Sequence, residues 1–274
     1  MQIQDKVAVV TGSARGIGKG IAEALVNRGA KVVISDILDL GASVADELNQ
    51  RMGHKVAVFE QCDVSDASNI QALLDRALSE FGALDIMVNN AGVAGTLLWN
   101  DSDPQSISRT IDINLKAPIE GTRLAARHMM ASGRPGCVVN VASIAAFHAL
   151  EFSPVYAASK AGLVTFTASC GTMANSDPRI RVNAIAQGYV ETNIVNDNIP
   201  DVLNKILRAS GEIPMERVVD GAIRCIEDET LAGDTIRIQA GVPNVVHDGP
   251  KAAPLGFIDA VKMEIAAGAQ KAAL

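Results

Sequence analysis

The sequence predicts a doubly wound α/β fold: a seven-stranded parallel sheet in the order 3-2-1-4-5-6-7 with helices on both faces. Three observations carry this. Short apolar runs alternate with helical patterns almost without interruption, as repeated βαβ units do. The first run passes through a glycine-rich turn straight into a helix. The 274 residues are 48% hydrophobic but only 3% aromatic, rich in the small and β-branched residues that let helices pack closely on a sheet, and they suffice for one full core.

Strands are expected near 6–11, 31–36, 55–61, 84–89, 136–142, 179–185 and 234–240, with helices in the gaps. Lys6–Val10 is β-branched and of strand length, and the helical pattern from Lys19 to Asn27 follows its turn. Asp103-Pro104 and Ser153-Pro154 each read as an N-cap followed by proline at the first helical position, so they mark the starts of the fourth and fifth long helices. Residues 1–241 form a single domain. Beyond Gly241 the pattern changes to Pro243, Pro250, Pro254 and Gly256, followed by an alanine-rich tail. The 242–274 extension is either a mobile terminus or an arm docked on the cleft or on a neighbouring subunit, and Phe257, Ile258 and Val261 favour docking.

Composition excludes several classes. A net charge of −7 without a basic cluster argues against nucleic acid or an anionic membrane as partner. The opening Met1–Asp5 lacks a signal-peptide pattern, and no apolar run approaches spanning length. Cys62, Cys137, Cys170 and Cys225 form no C-x-x-C pair and read as buried hydrophobes of a reducing compartment, so a cytoplasmic protein is expected. The four histidines are scattered, which leaves no metal site in view.

Chemistry enters at the strands' carboxyl ends. In Thr11-Gly12-Ser13-Ala14-Arg15-Gly16-Ile17-Gly18 the glycines allow a tight turn and close approach to a pyrophosphate, while the next helix aims unpaired N–H groups and its positive dipole end at the anion. The glycine spacing departs from the Rossmann G-x-G-x-x-G, and an ordinary strand-to-helix connection is the plainer alternative. Asp36, at the end of the second run, stands where an acid accepts hydrogen bonds from an adenosine ribose and repels the extra phosphate of NADP. The expected cofactor is NAD. Arg15 keeps NADP open, because a basic residue in the turn suits that phosphate.

Tyr156 and Lys160 stand at i and i+4 on one face of an expected helix, just after a strand ending near Ser143. A phenol with pKa of about 10 is a poor base at neutral pH, and an adjacent cation stabilises its phenolate. Tyr156 would then remove an alcohol proton as hydride leaves carbon. The plain alternative is a surface tyrosine packed on a lysine stem.

Together these residues resemble the short-chain dehydrogenase/reductase family. The resemblance rests on Thr11-Gly12-x-x-x-Gly16-Ile17-Gly18, Asp63-Val64, Asn89-Asn90-Ala91-Gly92, Asn114, Ser143, Tyr156-x-x-x-Lys160 and Gly188-x-x-x-Thr192, in that order over about residues 5–241. It implies Tyr156 as acid/base, Lys160 on the nicotinamide ribose, Ser143 on the substrate oxygen and Asn114 on a relay water. It also implies cofactor contacts from Gly12, Arg15, Gly16, Ile17, Gly18, Asp36, Ile37, Asp63, Val64, Asn90, Ala91, Gly92, Gly188, Val190 and Thr192, besides Tyr156 and Lys160. The segment Ile226–Asp234 is similar to that of hydroxyprostaglandin dehydrogenase-like members. One departure stands out: Gln187 precedes Gly188 where the family usually has proline, so the loop loses a fixed φ.

Pro118 adds an inference from geometry. In a helix its missing N–H frees the carbonyl of Asn114, which then holds the water linking Lys160 to solvent; a simple kink is the alternative. The expected activity is reversible oxidation of a secondary alcohol to a ketone with NAD, against an NADPH-dependent ketoreductase or a non-catalytic dinucleotide sensor as rivals. Trp99, Phe147, His148, Glu151, Tyr189 and the 193–213 segment are candidates for the small-molecule pocket. The family resemblance implies a homodimer or homotetramer, with the fourth and fifth long helices as contacts.

Overall fold

The computed structural model describes residues 1–95, 98–99, 101–192, 201–209 and 211–249. Strands β1 (Val7–Thr11), β2 (Lys31–Asp36), β3 (Ala57–Gln61), β4 (Ile86–Asn89), β5 (Gly136–Val141), β6 (Ile180–Gln187) and β7 (Thr235–Ile238) pair in parallel in the expected order. A two-residue strand, β8 (Val245–Val246), adds an eighth member, antiparallel to β7 with Ile236 opposite Val246. The sequence pattern missed it because two residues show no periodicity.

The central strands β1, β4, β5 and β6 are buried on both faces. Ala8 and Val10 join one core cluster, Val7 and Val9 the other, so alternate residues feed opposite layers. Helices α1 (Gly16–Asn27) and α2 (Leu40–Met52) cover the first face through Ile21, Leu25, Val44 and Leu48. On the second face α3 (Ala67–Phe81) inserts Ile70, Leu73, Leu74 and Ala77.

The expected fourth long helix is built in pieces. Asp103, expected as the N-cap, instead stands three residues ahead of the helix start, its carboxylate accepting from N of the actual N-cap Gln105 at 2.9 Å, and α4 runs from Ser106 to Ile111. A π-helical turn, Asp112–Lys116, then leads into α5 (Ala117–Ala131), whose Leu124, Ala125 and Met129 pack on the second face. Pro118 gives the reason for the wide turn: it cannot donate the i→i−4 bond, and Ala117 N reaches back to Asp112 O instead. The proline therefore follows a π bulge where a simple kink was the alternative.

Helix α6 (Pro154–Ser169) starts at Pro154 as expected, but the Ser153 hydroxyl makes no capping bond. Helix α7 (Asp201–Ala209) precedes α8 (Met215–Glu227), which joins the first face through Val218, Ala222 and Ile226. A buried polar chain crosses the sheet: Asn89 donates to Asn140 at 2.9 Å, and Asn140 donates to Thr167 of α6 at 2.9 Å. Such satisfied buried bonds fix the register of α6 against β4 and β5.

Of the cysteines, Cys62, Cys137 and Cys225 are buried, Cys170 is partly exposed, and all are free thiols. No described helix is long and apolar enough to cross a membrane. Among the described residues, no group of three or more His, Cys, Asp or Glu is placed to hold a metal ion.

Candidate active site

A cavity of about 740 Å³ opens along the carboxyl ends of the strands, where a doubly wound sheet collects ligands. One end is walled by Gly12, Arg15, Gly16, Ile17, Asp36, Ile37, Asp63, Val64, Asn90, Ala91 and Gly92. Ser143, Tyr156 and Lys160 stand in the same cavity with Gly188, Val190 and Thr192. Two expected residues lie outside its wall, Gly18 and Asn114.

The glycine turn is shaped by close backbone contacts. A Cβ on Gly18 would meet Gly12 O at 2.2 Å, so Gly18 serves the packing of α1 beneath the turn and does not face the cavity. Gly12 and Gly16 have φ of +62° and +59°, in the left-handed region that side chains avoid. A Cβ on Gly16 would meet only Thr192, at an ordinary van der Waals distance of 3.6 Å, so the positive φ and not crowding calls for glycine there. Helix α1 has no side-chain N-cap bond, and its first N–H groups remain for an anion.

Asn90 holds the turn to β4, donating from Nδ2 to the carbonyls of Thr11 and Gly12, each at 2.8 Å. Thr11 Oγ1 accepts from the N–H groups of Asn90 and Ala91 at 3.0 and 3.1 Å. Asp36 accepts from Ala14 N at 3.0 Å and Leu38 N at 3.1 Å, which ties the acid to the glycine turn and fixes its carboxylate at the cavity wall. Ile37 beside it is 59% exposed, an apolar surface for a flat ring. These features fit a dinucleotide: a glycine turn for the pyrophosphate, a fixed acid for a ribose and apolar walls for the bases.

At the chemical end, α6 places Tyr156 and Lys160 on one face. Lys160 is almost fully buried; its Nζ donates to Val141 O at 2.8 Å and lies 5.7 Å from the centroid of the Tyr156 ring. Burial lowers the lysine pKa from 10.5 to about 8. The Tyr156 phenol is raised above its ordinary value, first by burial, with a hydrogen bond to Ser143 pulling the other way. The depressed phenol expected from the adjacent cation is therefore not found in the protein alone; desolvation outweighs the Ser143 hydrogen bond.

Ser143 also accepts from Ala145 N at 3.1 Å, which aligns its hydroxyl at the start of a 3₁₀ turn, Ile144–Ala146. Asn114 is fully buried in the π turn, its amide bonded to the backbone N–H and C=O of Val93, each at 2.9 Å, and to Ser159 at 3.3 Å. A Cβ on Gly92 would lie 3.3 Å from Asn114 Oδ1 and 3.6 Å from Lys160 Nζ, so both groups flank that glycine. Gln187 compensates for the absent proline with its side chain, donating to Ala142 O at 3.3 Å across to β5.

Of the pocket candidates, His148 and Tyr189 line the cavity, and Leu207 of α7 represents the 193–213 segment. Trp99 is 68% exposed, and Phe147 and Glu151 do not line the cavity. Residues 193–200 and 210 lie outside the described residues. Sequence reasoning missed the wall residues Val93, Ala94, Gly95, Ile144, Leu150 and Phe152, which carry no chemical signature. Tyr189 is held by Asn204 at 3.0 Å and Arg208 at 3.1 Å, docking α7 against the loop after β6.

A cleft fit for a dinucleotide that ends at a half-buried tyrosine beside a buried lysine and serine defines an oxidoreductase acting on a CH–OH group with a nicotinamide cofactor. The chain belongs to the short chain dehydrogenase family, which matches residues 6–202. It is 34% identical over 255 residues to the 15-hydroxyprostaglandin dehydrogenase [NAD(+)] of Mus musculus, covering 88% of this chain and 92% of that one. It is 42% identical over 193 residues to the cis-4-hydroxycyclohexanecarboxylate dehydrogenase of Sinomonas cyclohexanicum, covering 70% and 76% of the two chains. Among solved structures it resembles a gluconate 5-dehydrogenase from Burkholderia cenocepacia J2315 in complex with NADP and tartrate, with a TM-score of 0.77, 26% identity and coverage of 88% and 96%.

Proposed function

We propose that this enzyme oxidises a secondary alcohol to a ketone with NAD as the hydride acceptor, with Tyr156 as base. The observation that carries the reading is the meeting of Tyr156, Ser143 and Lys160 in the same cavity as the glycine turn and Asp36. When bound, the nicotinamide accepts the hydride from the carbinol carbon. Ser143 holds the alcohol oxygen, and Tyr156 takes its proton, so one C–H bond and one O–H bond break as the carbonyl forms. Lys160 supplies positive charge beside the phenol and would hold the nicotinamide ribose. Asn114 fixes Val93 and the floor beneath Lys160, and its carbonyl holds the relay water that carries the proton out.

Two features support NAD: the Asp36 carboxylate at the adenosine end, and the NAD(+) named for the prostaglandin dehydrogenase relatives. Arg15 on the same wall, with the NADP held by the gluconate dehydrogenase, supports a second reading as an NADPH-dependent ketoreductase. Absorbance at the reduced-nicotinamide band decides between them, with NAD and then NADP offered alongside a panel of cyclic, aromatic, steroid and hydroxy-fatty secondary alcohols. Tyr156→Phe should cut turnover by about 10²–10⁴-fold, the usual worth of an acid–base group, while NAD affinity stays within about twofold. Retained turnover removes Tyr156 as the base.

A further inference from the structure

The 3₁₀ turn behind Ser143 ends at Phe147, whose N–H bonds Ile144 O at 2.9 Å, while Ala146 N bonds Ser143 O at 3.0 Å. This turn presents Ile144, Ala145 and His148 to the cavity, but Phe147 is not among the lining residues. Its ring is instead in contact with the far C-terminal segment. The His247 ring lies 4.2 Å from it, centroid to centroid and tilted by 46°, and the Arg237 guanidinium of β7 lies 5.1 Å from its centroid.

His247 is well anchored for such a contact. It follows β8 directly, and its N–H donates to Thr235 O at 2.7 Å, extending the β7–β8 pairing. The turn between these strands is held by Arg217 of α8, which donates to Gln239 O at 3.1 Å and to Asn244 Oδ1 at 2.7 Å, while Asn244 returns a bond to Arg217 O at 3.1 Å. Helix α8, β7 and β8 thus hold one ring against the back of the active-site turn.

We propose that His247 is a positioning residue for the alcohol site: stacked on Phe147, it clamps the Ser143–His148 turn and thereby sets how tightly the alcohol is held. Phe147 meets both a ring just past β8 and a cation on β7, contacts that restrain rotation and withdrawal of the turn. Residues 239–247 therefore belong to the substrate side of the molecule; Phe257, Ile258 and Val261 of the expected arm lie outside the described residues. Only the kinetic part of the test rests on the alcohol-oxidation reading.

The test compares full-length wild type with His247→Ala, His247→Gln and His247→Phe. Amide hydrogen exchange over residues 144–148 should quicken about threefold to tenfold in the Ala and Gln variants, in line with the worth of an aromatic pair, and return to near wild type in His247→Phe. Exchange in β1 should not change. For whichever panel alcohol turns over fastest, KM should rise by a similar factor in Ala and Gln with kcat and NAD affinity within about twofold, and His247→Phe should restore it. Unchanged exchange in the Ala or Gln variant, a rise shared equally by β1, or failure of His247→Phe to rescue would each overturn the proposal. Should His247→Ala not fold, the Gln and Phe pair gives the same comparison. If no alcohol in the panel turns over, the alcohol reading fails, and the exchange result still decides the clamp.

Discussion

Lys160 Nζ stands 5.7 Å from the centroid of the Tyr156 ring and gives its hydrogen bond to the Val141 carbonyl at 2.8 Å. The two side chains share a helix face, yet the bond holds the lysine to the end of β5. Its buried position costs the folded state part of its stability, because desolvation disfavours the charged amine.

That cost has a defined pH dependence. Burial lowers the Lys160 pKa from 10.5 to about 8, so the penalty is complete below pH 8, where folded and unfolded chains both carry the proton. Between pH 8 and 10.5 the folded protein loses the proton first, and stability attributable to this residue rises with pH. Lys160→Met should remove this rise, worth on the order of 3 kcal/mol, and should abolish turnover. Denaturant unfolding of both proteins at pH 7 and pH 10 measures it, and a difference that does not shrink with pH would contradict the assignment.

The glycines of the turn should separate by mechanism. Gly18→Ala drives a Cβ to 2.2 Å from the backbone oxygen of Gly12, so the turn itself must move. Gly16→Ala meets only Thr192 at 3.6 Å and pays mainly for its φ of +59°, about 1–2 kcal/mol. The first variant should lose both thermal stability and nucleotide binding, and the second should fold while binding more weakly. Thermal unfolding with nucleotide titration distinguishes them, and Gly16→Ala proving the less stable would refute the account.

Asp36→Asn removes the charge and keeps one acceptor oxygen, while the other carboxylate oxygen that accepts from Ala14 N or Leu38 N becomes an NH2 donor, so one of these two bonds is lost. The ratio of NADP to NAD dissociation constants should fall by about tenfold or more, since like charges brought together cost several kcal/mol. Titration with both nucleotides measures the ratio. A ratio that stays put would place the preference elsewhere, with Arg15 the next residue to vary.

Pro118→Ala restores an N–H able to reach the Asn114 carbonyl and so to convert the π turn toward regular helix. Proton release should slow, lowering kcat by up to about tenfold, less than the ~10²-fold expected for loss of the acid–base group itself. A pH profile and a solvent isotope effect on kcat read this directly. If neither moves, the carbonyl has no part in the relay.

Much of the site was legible because chemistry confined it to few residue types. A left-handed turn needs glycine, as at Gly12 and Gly16, and proton transfer beside a fixed cation needs a phenol and an amine one helical turn apart, as at Tyr156 and Lys160. Strand order followed from right-handed crossovers between apolar runs. Gly18 and Asn114 were legible as site residues, but their orientation was not: one packs the turn from below, and the other spends its amide on Val93 and Ser159. The apolar wall, Val93 to Gly95 with Leu150 and Phe152, carries no pattern that separates a pocket from a core.

Local sequence specified the doubly wound sheet, the glycine turn and the phenol, amine and hydroxyl that could meet beyond it, because each rests on local backbone conformation or on functional groups that nothing else supplies. Tertiary structure alone decided the rest. Desolvation raised the Tyr156 pKa against the pull of its neighbours, and a proline widened a helix into a π turn around Asn114. The pairing of β8 with β7 brought His247 onto Phe147, 100 residues away in the chain. Burial and long-range contact are properties of the packed chain, and no window of sequence contains them.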